Sequence, residues 1–178
     1  MLSGQLYIAS DRELTAARTR ARLLMKKFND CHDDETVLKE QILYELIGSF
    51  KENLYIEAPF YCDYGTNIQI GKNVFFNFGC SILDVLPVVI GDDVLFGPNV
   101  QIYTATHPLD WQSRAAGLEF GKPITIGSNV WIGGGVIICP SVSIGDRSVI
   151  GAGSIVTKNI PPDTVAAGNP CKPIRSKA

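Results

Sequence analysis

The sequence predicts a mainly β protein: a parallel β-helix built from hexapeptide repeats, with a small N-terminal α-helical cap and one long excursion loop. Three observations carry that expectation. A six-residue beat runs from Ile124 as ITIGSN, VWIGGG, VIICPS, VSIGDR, SVIGAG and SIVTKN, and earlier as CDYGTN (62–67), IQIGKN, VFFNFG, VVIGDD, VLFGPN and VQIYTA. The first 55 residues lack this beat and show helical periodicity instead. Between Thr106 and Ile124 the 17 residues HPLDWQSRAAGLEFGKP interrupt the repeat. A fixed short period decides architecture before any single residue does. The division that follows is residues 1–55 as the cap and 56–178 as the β-helix, with the loop at 107–123.

The cap comes first. Asp11 reads as the N-cap of a helix whose apolar positions are Leu14, Ala17, Ala21, Leu24 and Phe28, with Arg18, Arg20 and Arg22 along it. A second helix is expected to start near Asp33 or Asp34 and to present Leu38, Ile42, Leu43, Leu46, Ile47 and Phe50 on one face. His32 lies between the two in NDCHDDE and reads as a solvated linker residue.

The repeats follow. Each opens with an aliphatic or small residue, usually has a second aliphatic at its third position, and most often has Gly at its fourth. The opener points inward and stacks on its counterpart one coil later, as Ile124 on Val142 and Val130 on Ser148. Gly and Asn tolerate the positive φ that a corner demands, and Asn67, Asn73, Asn99, Asn129 and Asn159 all fall at sixth positions. A helical alternative fails, since a Gly every six residues would cost about 1 kcal/mol each in a helix. The register slips by two residues around Leu86-Pro87. Cys62 and Cys80 share one column, 18 residues apart. Neighbouring coils lie about 4.8 Å apart, so distance does not forbid a disulfide there. The odd count of five cysteines points to free, reduced thiols packed as small apolar groups.

Composition narrows the function. A formal net charge of −2 gives no nucleic-acid surface. No apolar run approaches a membrane span and no signal-peptide core opens the chain, so the cytoplasm is the expected compartment. The chain has two histidines. His107, in YTATHPLD, stands where the rigid repeat gives way to the loop, near Asp110 and Glu119. Imidazole titrates near pH 6.5 and is the usual general base, with a carboxylate or carbonyl on its other nitrogen fixing the tautomer. With no third histidine, a zinc site of the carbonic-anhydrase type is not expected, and no metal is assigned.

Beyond the repeat, GQLYIASDREL with RTRARLLMKKFN, PFYCDYGTNIQIGKNVFFNFGCSILD, IYTATHPLD with GLEFGKPITIGSNVWIGGG, and IGAGSIVTKNIPPDTVAAGNPCKPIR resemble the maltose and galactoside O-acetyltransferases. The nodulation-type sugar acetyltransferases are near relatives. Xenobiotic acetyltransferases share the histidine chemistry but lack such a cap, and serine acetyltransferases carry a longer helical N-terminus. A non-catalytic hexapeptide-repeat binding protein is the remaining alternative.

The resemblance implies a left-handed coil, against the usual right-handed crossover. It also implies a homotrimer with active sites between subunits, and acetyl-CoA as cosubstrate for a sugar acceptor. His107 corresponds to the base that deprotonates a sugar hydroxyl, and Asn77 to the residue beside the reacting centre. Asp11, Arg18, Asp63, Asp84 and Glu119 correspond to acceptor-binding positions. Asp63 stands where some relatives carry Ser. Gly97, Trp131, Gly134, Ala152 and Thr157 correspond to the coenzyme A groove, and Lys158, Lys172 and Arg175 are candidates for its phosphates.

Overall fold

The computed structural model describes residues 1–176. The chain opens with β1 (Tyr7–Ile8), α1 (Arg12–Asn29) and α2 (Thr36–Leu46). The first coil holds β2 (Ser49–Phe50), β3 (Leu54–Ile56) and β4 (Tyr61–Cys62); the second holds β5 (Ile68–Ile70), β6 (Val74–Phe76) and β7 (Ser81–Leu83). The third has β8 (Val88–Ile90), β9 (Leu95–Phe96) and β10 (Gln101–Tyr103). The excursion contributes β11 (Ala105–Thr106), α3 (Trp111–Ala115) and β12 (Leu118–Gly121). Coiling resumes with β13 (Ile124–Ile126), β14 (Trp131–Ile132) and β15 (Ile137–Ile138), then β16 (Ser143–Ile144), β17 (Val149–Ile150) and β18 (Ile155–Val156). β19 (Thr164–Ala167) and β20 (Lys172–Ser176) end the described chain.

These strands form three parallel faces of a left-handed β-helix. β2, β5, β8, β13 and β16 make the first face, and β3, β6, β9, β14, β17 and β19 the second, which β20 extends antiparallel. β4, β7, β10, β15 and β18 make the third. The first strand of the solenoid, β2, precedes residue 55 and pairs with β5.

The inward residues are those the beat selects. Ile68, Val74, Val88, Val94, Ile124 and Val130 are buried as openers, and Ile70, Phe76, Ile90, Phe96, Ile126 and Ile132 as third positions. Each removes about 1.5–3 kcal/mol of apolar exposure. Phe76 and Phe96 stack at 4.2 Å between ring centroids, so aromatic packing continues from coil to coil. Thr125 pairs with Ser143 and Trp131 with Val149, which sets Ile124 on Val142 and Val130 on Ser148 as expected.

Two expectations about the coils need correction. Ser49 pairs with Gln69 and Gln69 with Val89, so the early coils run 20 residues rather than 18. The extra pair falls on the units Phe60–Asn67 and Cys80–Pro87, both eight residues long. Cys62 therefore faces Ile82 instead of Cys80, and all five cysteines are free. Asn73, Asn99 and Asn129 take φ between 55 and 58°, as corners require. Asn67 and Asn159 do not; Asn67 Nδ2 donates to the Asp84 carbonyl, and Asn159 Oδ1 accepts from Ser143 N.

The helices close the open end of the prism. Asp11 caps α1, its Oδ1 accepting from Glu13 N and Leu14 N. Ala21, Leu24, Met25 and Phe28 of α1 and Ile42, Leu43 and Leu46 of α2 bury against the first coil. α2 begins three residues after Asp33, with no side-chain cap; Leu38 stays exposed and Phe50 belongs to β2. Asn29 clamps α1 down: Nδ2 donates to Phe60 O at 3.0 Å, and Oδ1 accepts from Phe60 N at 2.9 Å. Among the described residues no helix is long and apolar enough to cross a membrane.

Candidate active site

Most of the expected site residues lie near two corners of the prism, on either side of the third face; Trp131 and Arg175 lie on the second face.

The corner between the second and third faces is a stack of small residues. Asn77 N, Gly97 N, Gly133 N and Gly151 N donate in turn to Phe96 O, Ile132 O, Ile150 O and Ala166 O, so these four residues form one column. Gly134 and Ala152 flank it. A Cβ on Gly97 would stand 2.5 Å from Gly134 N, and one on Gly133 would stand 2.5 Å from Ala152 N. The coils meet here backbone to backbone, leaving a shelf without side chains that only glycine permits. Asn77 stands at the head of the shelf, with Oδ1 accepting from Phe78 N at 2.7 Å. At the far end Lys172 pairs with Ala167, while Arg175 pairs with Val165 further along the second face. Both basic side chains are exposed.

Trp131 lies elsewhere. It is exposed in the middle of the second face, paired with Leu95 and Val149, and does not line the shelf within this chain. Thr157 and Lys158 also stand apart from Lys172 and Arg175. They follow β18 at the corner between the third and first faces, so Lys158 is separated from Lys172 and Arg175.

That second corner is where the chain departs from strict repetition. The two eight-residue units and the excursion all stack there, and the N-terminus docks onto them. β12 pairs with both β11 and β1, joining the first residues of the chain to the strand that leads into His107. Long insertions on a rigid scaffold are the usual seat of binding and catalysis.

His107 is exposed, and no hydrogen bond from its ring to another described residue is formed within the chain. The two carboxylates expected beside it are engaged otherwise. Asp110 caps α3, its Oδ2 accepting from Ser113 N at 2.8 Å and Ser113 Oγ at 2.7 Å, which holds its carboxyl below the usual range. Glu119 Oε2 accepts from the Tyr7 hydroxyl at 3.1 Å.

Around Glu119 the chain assembles a polar cluster. Burial pushes the Asp63 carboxyl up, the Arg18 and Arg22 guanidiniums pull it down, and Glu119 pushes it up again. Its carboxylate makes no side-chain hydrogen bond among the described residues. Arg18 Nη1 donates to the Tyr64 hydroxyl at 2.7 Å, and its Nη2 donates to Ala9 O and Thr15 Oγ1. Burial and the hydrogen bond to Glu119 raise the Tyr7 phenol well above its ordinary range. Tyr7 and Tyr64 carry no motif of their own; they enter through contacts 46 and 112 residues apart in sequence.

Asp84 is the clearest departure from expectation. It is fully buried and offers no surface to an acceptor. Its Oδ1 accepts from Asp63 N at 3.0 Å and Tyr64 N at 2.9 Å, and its Oδ2 from Asn67 N at 3.3 Å. Burial pushes its carboxyl up to about 7 despite those donors. Asp11 is likewise occupied in part, as the cap of α1, and remains exposed.

Comparison with known proteins agrees with this architecture at both ends of the chain. The maltose acetyltransferase hexapeptide capping motif matches residues 1–51, and the bacterial transferase hexapeptide (six repeats) matches residues 123–158. Galactoside O-acetyltransferase of Escherichia coli K12 is 47% identical over 97% of this chain and 85% of its own. The chain belongs to the maltose and galactoside O-acetyltransferase family. It is an O-acetyltransferase of the hexapeptide-repeat kind. The crystal structure of a maltose O-acetyltransferase from Clostridium difficile 630 superposes with a TM-score of 0.97 at 52% identity, covering 99% of this chain and 95% of that one. A galactoside acetyltransferase in complex with coenzyme A gives 0.96 at 46% identity, covering 99% and 88%.

Proposed function

We propose that this protein moves an acetyl group from acetyl-CoA to a hydroxyl of a sugar, with His107 as general base and each site assembled between two copies in a trimer. The observation that carries this reading is the position of His107. Its ring has no hydrogen-bond partner among the described residues, and it stands at the corner beside the cluster of Asp63, Glu119, Tyr7 and Arg18. Its relatives include enzymes named for maltose and galactosides, and one neighbour was solved with coenzyme A.

The chemistry follows from these groups. Neutral His107 takes the proton from the acceptor hydroxyl as the oxygen attacks the thioester carbonyl. The C–S bond breaks, the acetyl stays on oxygen, and the thiolate leaves to take up a proton. Asn77 supplies an amide at the reacting centre, where a dipole aimed at developing charge is most effective. The carboxylate of Asp63 accepts hydrogen bonds from sugar hydroxyls, and the exposed carboxylate of Asp11 is a further candidate. The shelf of Gly97, Gly134 and Ala152 lets an extended pantetheine approach the backbone. Thr157, Lys158, Lys172 and Arg175 are the candidates for the polar and phosphate end of the coenzyme.

The placement of these groups supports a site shared between chains. Asn77 precedes the third face and His107 follows it, and β7 with its two flanking residues, Cys80 and Asp84, spans about 13 Å at the usual extended rise per residue. That separation favours a site shared between chains over one within a single chain. A cyclic assembly that sets the His107 corner of one chain against the Asn77 corner of the next brings both to one point.

Acceptor-dependent release of thiol from acetyl-CoA tests the proposal. The expected result is release with maltose or a β-galactoside that drops by about 10² or more in His107→Ala. Release that no sugar stimulates would overturn it.

A further inference from the structure

We propose that Asp84 is a positioning residue of the acceptor site, holding the corner from Asp63 to Asn67 so that the Asp63 carboxylate is presented to the sugar. This rests on the acceptor-binding role proposed above for Asp63.

The corner needs such a support. Its unit, Phe60–Asn67, is two residues longer than the repeat, so its amides do not all meet a carbonyl of the neighbouring coil. Tyr64 N and Asn67 N point at the Asp84 carboxylate, and Asp63 N divides its bond between Asp84 Oδ1 and Ile82 O. Asn67 returns the contact, its side-chain amide donating to the Asp84 carbonyl at 2.6 Å. One buried side chain thus gathers three backbone donors from one corner.

A carboxylate is a costly means of mere packing. Asp84 is wholly enclosed, and no cation pairs with it among the described residues. Among the described residues its compensation comes from backbone amides, chiefly those three, so its geometry and that of the corner are one unit. The corner is fixed from the other side as well. The Tyr64 hydroxyl accepts from Arg18 Nη1, and Arg18 Nη2 donates to Ala9 O, which ties the corner to α1 and to the N-terminal strand. Asp63 lies between these two anchors, in the electrostatic reach of Arg18, Arg22 and Glu119. Asp84 therefore acts through Asp63 and never touches the acceptor.

The test is a double-mutant cycle on the intact enzyme with maltose and methyl β-galactoside as acceptors. Asp63→Ala, Asp84→Asn and the double variant are compared by KM for acceptor and KM for acetyl-CoA. Asp84→Asn keeps the shape but turns a donor towards Asn67 N. Losing one such charge-assisted bond is expected to raise acceptor KM about tenfold. The KM for acetyl-CoA should hold within about twofold, because neither Asp63 nor Asp84 is among the residues assigned to the coenzyme. In the Asp63→Ala background the same substitution should change acceptor KM no further. A general loss of structure would instead raise both KM values, or multiply the two effects, and either result overturns the proposal. Unchanged acceptor KM in Asp63→Ala alone overturns the acceptor reading of Asp63 and this proposal with it. If Asp84→Asn does not fold, Asn67→Ala loosens the same corner from its exposed side. It must reproduce the selective rise and the lack of additivity with Asp63→Ala, and failure on either count is equally fatal.

Discussion

Mixing two inactive variants should restore activity. His107→Ala removes the proposed base at the corner between the third and first faces, and Asn77→Ala removes the proposed amide donor at the corner between the second and third. Each alone should lose about 10²-fold or more in turnover. In a trimer whose sites each draw His107 from one chain and Asn77 from the next, a site is intact when the first chain is Asn77→Ala and the second is His107→Ala. For random mixing in equal amounts the two probabilities are one half each, so about a quarter of the sites regain both groups. The assay unfolds and refolds the two variants together, then measures thiol release with maltose against each variant refolded alone. Recovery to about a quarter of wild type supports a shared site. Recovery no greater than the mean of the two variants would refute the reasoning, because a site complete within one chain cannot be repaired by a neighbour.

Other expectations follow from particular contacts. Gly97→Ala places a methyl 2.5 Å from Gly134 N, a backbone atom that cannot swing away; about 1–3 kcal/mol of destabilisation and a higher KM for acetyl-CoA are expected, read by thermal unfolding and kinetics. The Asp84 carboxyl, held near 7 when folded, ionises near 3.9 when unfolded. Between about pH 4 and 7 the unfolded chain thus releases this proton first, and the group's contribution to stability declines by up to about 4 kcal/mol as pH rises through that window. Asp84→Asn should flatten that part of the stability–pH curve, and an unchanged slope in denaturant titrations would contradict the assignment. Asp11→Ala should cost about 1 kcal/mol through loss of the α1 cap. Asp11→Ser should recover most of that stability while leaving acceptor KM raised, if the carboxylate also meets the sugar.

The repeat was legible because its signal is apolar and periodic: openers such as Ile124 and Val130 recur at a fixed spacing and bury as that spacing demands. The excursion was legible as a gap in the same signal, which placed His107 at its edge. The eight-residue unit Phe60–Asn67 was not, because its extra residues are polar corner residues that leave no mark on the beat. Counted as a six-residue unit from Cys62, it takes the wrong register and sets Cys62 on Cys80 rather than on Ile82. Asp84 shows a second limit. A carboxylate in a strand end reads as a surface group, and only the fold reveals that it is enclosed and turned towards backbone amides. The partners of Arg18 and Glu119 were equally hidden, since Tyr64 and Tyr7 are distant in sequence and reach them only once the cap and excursion have docked.

The most direct measurement is product stoichiometry with labelled acetyl-CoA and maltose, comparing the wild-type protein with His107→Ala. Direct attack assisted by His107 gives one acetyl ester on sugar oxygen for each thiol released, with no label on the protein, and a loss of about 10² or more in the variant. Acetyl transfer that persists undiminished without the imidazole, or label that accumulates on the enzyme, would contradict it.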